Sequence, residues 1–347
     1  PKDGSWAGAM YVDRRVRTVC SYCGVGCQLE LLVSGGRVVG AVPADGPSNR
    51  GRLCVKGRFA YNFIGHPDRL TVPMVRRDGG LVEASWDEAL DLVAGRLRST
   101  LDRLGPDGVA GLASARCTNE ENYLFQKLFR AGAGTNNVDH CARLCHASTV
   151  AGLAATLGSG AMTNSIDEID MQEAIFVTGS NTTETHPVIG TRIKRAARRG
   201  ARLIVADPRR IELAAEAEVF LPLKPGTNVA LYNAMACAIL EEGLGDRGFI
   251  AERTEGFEEW AESVRSCTPE RSAGICGVDA GDIRRAARIY AGAWAAGIYY
   301  AMGVTQHTAG TEGVMALSNL ALVCGKLGRP GCGINPLRGQ NNVQGAC

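Results

Sequence analysis

The chain has 347 residues, too many for one simple hydrophobic core and enough for two or three domains. Its net charge of +2 indicates neither nucleic acid nor an anionic membrane as a partner, and no apolar run reaches transmembrane length. An odd count of 13 cysteines without short disulfide spacings favours a reducing compartment, so we expect a cytoplasmic protein.

Four cysteines near the start form the first distinctive motif. Cys20, Cys23 and Cys27 have the spacing C-x2-C-x3-C, and Cys54 follows after 26 intervening residues. Three thiolates on one loop with a distant fourth are typical of a [4Fe-4S] cluster. Structural zinc usually has two separated C-x2-C pairs, and the ordinary globular composition argues against a disulfide set. The motif therefore predicts an electron-transfer cluster.

A β-rich unit is predicted around these cysteines. A short strand is expected at residues 16–20, and alternating apolar and polar residues on both sides of Gly35-Gly36 predict a hairpin with strands at 28–34 and 37–44. We therefore expect a small cluster domain over residues 1–65.

Two helix starts stand out in residues 66–139. Ser85 with Glu88, and Thr118 with Glu121, have the spacing of capping boxes. The predicted elements are a helix from Ser85 to Leu104 with an apolar stripe, a buried strand at 108–115 and a helix from Thr118 to about Arg130. This segment is expected to be the first half of an α/β domain.

Strands and helices alternate from about residue 170. Strands are predicted at 174–178, 201–206, 219–223 and 298–302, and helices at 187–199, 228–242, 282–293 and 312–327. This alternation is typical of a parallel sheet covered by helices. We expect a dinucleotide-binding α/β domain over residues 140–340 and a return segment at 341–347.

Polar or glycine-containing turns follow four predicted strands, at 179–181, 207–209, 224–227 and 303–306. Ligands of open α/β sheets bind beyond the carboxyl ends of the strands. Asp207 can accept hydrogen bonds from a ribose or a base, and Lys224 can contact phosphate. Each turn alone is equally consistent with an ordinary loop, and the lack of G-x-G-x-x-G disfavours a plain nicotinamide enzyme.

Cys145 and His146 stand side by side before a helix predicted from Ser148. A thiolate near a helix N-terminus is stabilised as an anion and suits a soft metal, and a histidine can move a proton near neutral pH. On these residues alone, a buried cysteine beside a surface histidine is the simpler interpretation.

Together the motifs resemble the molybdenum- or tungsten-dependent bis-molybdopterin guanine dinucleotide (bis-MGD) oxidoreductases, and within them the catalytic alpha subunits of formate dehydrogenases. The resemblance extends from about Val16 to Cys347. It rests on the segments 20–27, 54–57, 136–139, 141–146, 206–209, 302–306 and 338–347. It implies a small β-rich [4Fe-4S] domain followed by parallel-sheet α/β domains. It also implies that residues beyond this chain complete the segment 66–139, so that its apolar surface is uncovered here.

The resemblance implies roles for individual residues. Cys145 would ligate Mo or W, His146 would position substrate and relay a proton, and Arg338 would hold the formate carboxylate bidentately, which lysine does less well. Lys56 would bridge the cluster and a pterin. The implied cluster ligands are Cys20, Cys23, Cys27 and Cys54, and the implied guanine dinucleotide contacts are Asn181, Glu184, Asp207, Arg209, Lys224, Gly226, Gly303, Gln306 and Gln340.

The implied activity is reversible oxidation of formate to carbon dioxide. Electrons would pass to the cluster and on to partner subunits or a ferredoxin-like acceptor. A nitrate reductase-type enzyme of the same family is one alternative, which His146 and the Arg338 loop disfavour. A non-catalytic electron-transfer subunit carrying only the cluster is the other, which the intact Cys145-His146 pair disfavours.

Overall fold

The computed structural model describes residues 11–347 of the chain, so the first ten residues of the predicted cluster domain lie outside the described residues. The domain opens with an antiparallel sheet of β1 (Arg14–Val19), β2 (Gln28–Ser34) and β3 (Arg37–Pro43), in that order. Gly35 and Gly36 both have positive φ, at 56° and 76°, as a two-residue hairpin turn requires. The predicted hairpin is therefore confirmed.

The chain between β3 and Cys54 is tied back onto this sheet by one buried side chain. Asn49 donates from Nδ2 to the carbonyls of Gln28, Ala44 and Arg52, and its Oδ1 accepts from the Gln28 N–H. Helix α1 (Val55–Phe59) then starts immediately after Cys54, and a short 3₁₀ turn follows at Asn62–Gly65. Asn49 thus fixes where the fourth cysteine returns to the first three.

The next segment contains two small sheets and two helices. Its elements are β4 (Met74–Arg77), β5 (Gly80–Glu83), α2 (Trp86–Leu104), β6 (Gly111–Ala113), α3 (Asn119–Lys127) with a π-helical extension (Leu128–Ala133), and β7 (Val138–His140). The capping box at Thr118 is confirmed. At Ser85 only half of one forms, because the Glu88 carboxylate pairs with Arg77 instead of the cap N–H.

The predicted buried strand at 108–115 is wrong in length and in burial. Only β6 is extended, and it pairs in parallel with β7 alone. Leu112 is 81% exposed because no layer covers that side of the two strands. Other large apolar side chains of this segment are also exposed, namely Trp86, Leu90, Leu92, Val93, Leu104, Tyr123, Leu124 and Leu128.

The remaining residues form the α/β domain. Its strands are β8 (Ala174–Thr178), β9 (Arg202–Ala206), β10 (Val219–Leu221), β11 (Ala296–Tyr300) and β12 (Gly333–Pro336). Its helices are α4 (Ala147–Leu157), α5 (Thr182–Thr185), α6 (Pro187–Arg198), α7 (Asn228–Glu241), α8 (Arg247–Arg253), α9 (Phe257–Val264), α10 (Pro269–Cys276), α11 (Ala280–Gly292), α12 (Met302–Thr305), α13 (Gly310–Val323) and α14 (Val343–Ala346). The sequence did not predict β12 or α8 to α10.

All five strands are parallel, in the spatial order β10-β9-β8-β11-β12. Chain order therefore runs outward from β8 in one direction and then from β11 in the other, as in doubly wound dinucleotide-binding folds. The order reverses between β8 and β11, so the expected ligand crevice lies at the carboxyl ends of these two strands.

Alternating side chains of the strands serve two apolar layers. Phe176, Ile204 and Ile298 face helices α7, α11 and α13. On the other face, Val177 and Val205 pack with helix α6 and with Val25 of the loop at residues 20–27, called the cluster loop below. Each fully buried side chain of this size contributes about 1.5–3 kcal/mol to folding. The cluster loop is thus part of one of the sheet's two cores. No helix within residues 11–347 is long and apolar enough to span a bilayer.

Candidate functional site

The structure brings the four motif cysteines together. The Cys20 N–H donates to the Cys27 carbonyl over 2.8 Å and closes the loop, while Cys54 caps α1. Burial, followed by the nearby Cys23, Cys20 and Cys54, raises the pKa of Cys27 to about 12. The pKa values of Cys20 and Cys23 are also raised, chiefly by burial. Such a group of thiols needs a cationic centre to become thiolates.

Iron-sulfur clusters and single metal ions arrange their cysteine ligands differently. Among residues 11–347 no three His, Cys, Asp or Glu side chains form a group that could hold a single metal ion. A [4Fe-4S] cluster distributes its four thiolates over four irons, whereas zinc gathers its ligands around one ion. None of the 13 cysteines, all within the described residues, is in a disulfide.

Cys145 is a buried residue of the turn just before α4. The Thr305 hydroxyl donates to the Cys145 carbonyl over 2.6 Å, and the Gln306 amide donates to the Leu144 carbonyl over 2.8 Å. Burial raises the pKa of the Cys145 thiol, and the Arg338 guanidinium acts in the opposite direction. The sulfur thus sits at the helix N-terminus with one cation nearby, a setting that suits a metal-bound thiolate.

Arg338 is buried, with 8% of its surface exposed. Its Nη2 donates to the Gly160 carbonyl over 2.7 Å, whereas its buried Nη1 has no hydrogen-bond partner. Burial lowers the pKa of this group, but a guanidinium remains charged at neutral pH. A buried donor without a partner costs about 1–3 kcal/mol, and more for a charged group. An anion that contacts Nη1 would remove this cost.

The backbone that carries Arg338 is clamped from three sides. The Arg338 carbonyl accepts from His186 Nε2 over 2.6 Å and from the Gly24 N–H over 3.1 Å. The Leu337 carbonyl pairs with His146 Nε2 over 3.2 Å. A Cβ atom added to Gly24 would lie 2.4 Å from the Arg338 oxygen, so only glycine allows the cluster loop to approach this closely. Neither His186 nor Gly160 was predicted from the sequence.

His146 is 1% exposed, so the interpretation as a surface histidine is wrong. Its Nδ1 pairs with the Thr149 hydroxyl over 3.0 Å, and its Nε2 lies opposite the Leu337 carbonyl. Burial, and after it Arg338, lowers its pKa to about 3, so the ring is neutral at pH 7. Nε2–H therefore donates to Leu337, and Nδ1 accepts from Thr149. The ring must release one of these bonds before it can move a substrate proton.

A cavity of about 390 Å3 opens at the carboxyl ends of the strands. The lining residues are Gly179, Asn181, Asp207, Pro208, Arg209, Leu223, Pro225, Asn228, Gly303 and His307. Gly179 and Gly303 follow β8 and β11, where the strand order reverses. Their backbones touch, since a Cβ added to Gly179 would lie 2.7 Å from the Gly303 carbonyl carbon. The cavity therefore occupies the crevice that this topology uses for dinucleotides.

Four of the nine predicted dinucleotide contacts line this cavity. Asn181, Asp207, Arg209 and Gly303 line it, and Lys224 and Gly226 flank the lining residue Pro225. Burial raises the pKa of Asp207, whose Oδ1 accepts from the Arg209 N–H over 2.9 Å. Asn228 and His307 also line the cavity but were not predicted. Asn228 follows the Lys-Pro-Gly-Thr turn, which was the available signal.

Five of the nine predicted contacts are not in the cavity lining: Glu184, Lys224, Gly226, Gln306 and Gln340. Glu184 is exposed, and its carbonyl accepts from Lys56 Nζ over 3.1 Å. Gln306 holds the Leu144 carbonyl beside Cys145, and Gln340 Oε1 accepts from the Cys141 thiol over 3.3 Å. These two glutamines therefore lie along the Cys141–Cys145 turn.

Lys56 connects the cluster domain to the α/β domain. Its ammonium donates to the backbone carbonyl of Glu184 in α5. The adjacent Gly57 packs against Cys20, whose sulfur would be 3.5 Å from an added Cβ. Lys56 thus lies between a cluster cysteine and the turn after β8.

Comparison with known proteins places this chain in a class. Residues 13–66 match the model of the molybdopterin oxidoreductase Fe4S4 domain, and residues 69–347 match that of the molybdopterin oxidoreductase family. The chain belongs to the molybdopterin oxidoreductase family.

Particular relatives are close in sequence. The chain is 51% identical over 333 residues to the F420-dependent formate dehydrogenase subunit alpha of Methanocaldococcus jannaschii, covering 96% of this chain and 49% of the relative. It is 49% identical over 341 residues to formate dehydrogenase H of Escherichia coli, covering 96% and 48%. It thus spans about half the length of these relatives. Acetylene hydratase from Pelobacter acetylenicus has a similar structure, with a TM-score of 0.82 and 27% identity over 92% of this chain and 44% of that chain.

Proposed function

We propose that this chain belongs to the catalytic subunit of a formate dehydrogenase, which oxidises formate reversibly to carbon dioxide at a Mo or W centre ligated by Cys145. The proposal rests mainly on the buried guanidinium of Arg338, whose Nη1 has no hydrogen-bond partner. This guanidinium lies close enough to Cys145 to oppose the rise in the pKa of the Cys145 thiol. A small carboxylate fits this donor, because a guanidinium binds carboxylates through paired N–H groups. The names and identities of the two relatives support the same activity.

The residues of the site act by binding and orientation. The metal and its pterins supply the two-electron chemistry when bound. Arg338 binds the formate carboxylate through Nη1 and keeps Nη2 on the Gly160 carbonyl, which fixes the direction of the guanidinium plane. His146 positions Arg338 by holding the Leu337 carbonyl, and it takes up a substrate proton only by exchanging one of its two hydrogen bonds.

The cofactor cradle is proposed to hold bis-MGD. The fit rests on the cavity at the strand reversal, where the contact between Gly179 and Gly303 leaves room that side chains would fill. Asp207 and Asn181 would accept hydrogen bonds from a guanine or ribose, and Arg209 and Lys224 would meet the phosphates.

The four motif cysteines would hold a [4Fe-4S] cluster. Lys56 would connect the pterin to this cluster. Its backbone adjoins Gly57, which packs against Cys20, and its ammonium donates to the Glu184 carbonyl of α5. Electron-transfer partner subunits or a ferredoxin-like acceptor would then take the electrons, in the reducing cytoplasm that the odd cysteine count favours.

The deciding experiment is an anaerobic assay of the full-length protein for formate-dependent reduction of a viologen dye. Cys145→Ala should abolish this activity and the bound Mo or W while iron stays unchanged. Cys267→Ala is the matched control, because Cys267 lies outside the site residues described above. A metal-loaded protein without formate activity would overturn the proposal. Turnover of nitrate by the reduced protein would instead support the nitrate reductase-type alternative, and iron alone would support a non-catalytic electron-transfer subunit.

A further inference from the structure

His186 is a buried histidine with 2% of its surface exposed. It stands between α5 and Pro187, the first residue of α6. Its Nε2 lies 2.6 Å from the Arg338 carbonyl oxygen, and its Nδ1 lies 2.9 Å from the Thr185 hydroxyl. Both nitrogens of this ring therefore have partners within the protein.

The position of the proton on this ring follows from its partners. A carbonyl oxygen can only accept, so the neutral ring carries its proton on Nε2 and donates it to Arg338. Nδ1 then accepts from the Thr185 hydroxyl. The Asn181 carbonyl, 3.0 Å from the same hydroxyl, already accepts from the N–H groups of Glu184 and Thr185. Burial lowers the pKa of His186, so the ring is neutral at pH 7.

Three parts of the proposed site attach to α5 and the residue on each side of it. At the start of this segment, Asn181 lines the cavity at the carboxyl ends of the strands. Within α5, the Glu184 carbonyl accepts from Lys56. At its end, His186 holds the residue that carries the buried guanidinium. One short segment thus connects the cavity, the lysine of the cluster domain and Arg338.

The Arg338 carbonyl depends on this contact because regular structure does not hold it. Arg338 lies beyond the end of β12, so no strand pairs with it. Of its two donors within residues 11–347, His186 Nε2 at 2.6 Å is nearer than the Gly24 N–H at 3.1 Å. The Arg338 guanidinium has one nitrogen on the Gly160 carbonyl and a buried Nη1 without a partner. The bond from His186 therefore restrains the backbone from which Nη1 is aimed.

We propose that His186 is a positioning residue for Arg338, which sets the affinity for the formate carboxylate without contacting it. The inference rests on the proposed function, because that function assigns formate to Arg338. Without a donor at position 186, the Arg338 carbonyl would keep only the Gly24 bond, and the guanidinium would be aimed less precisely. The loss falls on formate binding and not on the cofactors, because Asn181 and Lys56 make their contacts through other atoms.

The test measures formate binding to the full-length protein, reduced with dithionite and freed of excess reductant, so that formate binds without being oxidised. Isothermal titration calorimetry gives Kd, and viologen assays of the oxidised protein give KM and kcat. His186→Leu should raise Kd and KM about five- to tenfold, the effect of one lost hydrogen bond, and change kcat by less than about twofold. Mo or W, iron and guanine nucleotide should stay at parental levels.

Two further variants separate the hydrogen bond from the packing of the ring. His186→Gln keeps an N–H donor at the end of the side chain, so its Kd should stay within about twofold of the parent. Thr185→Val removes the exposed hydroxyl that orients the ring and leaves the ring in place, so it should raise Kd about threefold. It also tests the proposal if the leucine variant does not fold.

His66→Leu is the matched control, because it makes the same change at an exposed histidine whose Nδ1 accepts from the Asp68 N–H in its own turn. Its Kd and KM should be parental, and a loss like that of His186→Leu would overturn the proposal. A parental Kd in both His186→Leu and Thr185→Val would overturn it. Equal weakening by His186→Leu and His186→Gln would overturn it as well, because the donor would then not be what matters.

Failure of the proposed function is visible separately. A parent protein that binds formate but does not reduce viologen with it would overturn the formate dehydrogenase activity, and the Kd ratios would still decide the role of His186. An active parent whose His186 variants all keep the parental Kd would overturn only the positioning role. A parent that binds no formate would overturn both.

Discussion

The two ends of the Arg338 guanidinium have different surroundings, and this difference sets what one substitution should do. Nη2 is committed to the Gly160 carbonyl, and Nη1 is buried without a partner. A lysine has one ammonium and cannot serve both positions. Arg338→Lys should therefore lower kcat/KM for formate about 10- to 100-fold, since a hydrogen bond to a charged group is worth about 1.5–3 kcal/mol. Steady-state viologen assays over formate concentration measure this.

The control for that substitution is Arg130→Lys, because Arg130 is an exposed residue of the π-helical extension whose Nη1 donates to Gln126 one turn earlier. It should leave kcat/KM unchanged. An Arg338→Lys variant with parental kinetics would show that the carboxylate binds elsewhere.

Gly24 offers a second test at the scale of one atom. A methyl group there would overlap the Arg338 carbonyl at 2.4 Å, so Gly24→Ala should push the cluster loop away from the Arg338 segment. We expect a loss of about 1–3 kcal/mol in stability and a large loss of formate activity. Thermal unfolding and viologen assays measure the two effects.

Gly65→Ala is the control for Gly24→Ala, because nothing lies within 4 Å of its added Cβ and its φ is not positive. It should be neutral or slightly stabilising. Equal behaviour of the two variants would contradict the close approach of the loop to Arg338.

Single residues differ in how far the sequence could identify them. The spacing of Cys20, Cys23 and Cys27 is local, so it could be read directly. The clamp from His186 to the Arg338 carbonyl joins residues 152 positions apart, and no local pattern encodes such a contact. The burial of His146 could not be read either, because Leu337 and Thr149 create it from two separate elements.

At the scale of elements, the dinucleotide hypothesis depends on the place where the carboxyl ends of β8 and β11 lie side by side. Gly179 has a φ of 57° and touches Gly303, so Gly179→Ala adds both backbone strain and a clash. Guanine nucleotide released on acid denaturation of the purified full-length protein should fall about tenfold or more, as 1–3 kcal/mol of strain alone would lower affinity.

Gly292→Ala is the matched change at the end of α11, where an added Cβ meets nothing within 4 Å. It should leave the nucleotide content at the parental level. Parental content in Gly179→Ala would mean that the dinucleotide does not occupy this cavity.

Element prediction succeeded where burial on both faces makes a strand uniformly apolar. Ala174–Thr178 and Arg202–Ala206 were predicted nearly to the residue for this reason. Strand β12 was missed because it has four residues, of which Gly333 and Pro336 disfavour strands. It exists because β11 offers an unpaired edge, which is tertiary information.

At the scale of the molecule, an ion-pair network joins the cluster domain to the α/β domain. Asp167 accepts from Arg50 of the cluster domain over 2.6 Å and also pairs with Arg192 of α6, which is 3% exposed. The hydrogen bond from Arg50, and then the charge of Arg192, hold the pKa of Asp167 below its usual 3.8. Arg50 and Asp167 are 117 positions apart, so no local sequence pattern could show that this network joins the two domains.

Asp167→Asn should destabilise the protein by about 2 kcal/mol at pH 7, because it leaves Arg192 with Asp170 as its remaining partner. A lowered native pKa stabilises the protein above pH 3.8 and loses this effect as the pH falls further, so parent and variant should converge in acid. Urea unfolding across pH measures this. Glu262→Gln breaks an exposed pair with Arg265 and should cost under about 0.5 kcal/mol, and an equal loss in both would contradict the network.

The contact between the cluster loop and the Arg338 carbonyl also has a consequence for how the protein matures. The Gly24 N–H reaches that carbonyl only when the loop is folded, and the proposed cluster is what would hold three of its cysteines in place. A newly made chain without iron would therefore lack one of the three contacts that hold the Arg338 segment, while those from His186 and His146 could still form. On the proposed function, we therefore expect iron to be inserted before the pterin, because the folded loop of residues 20–27 helps to hold the Arg338 segment in place.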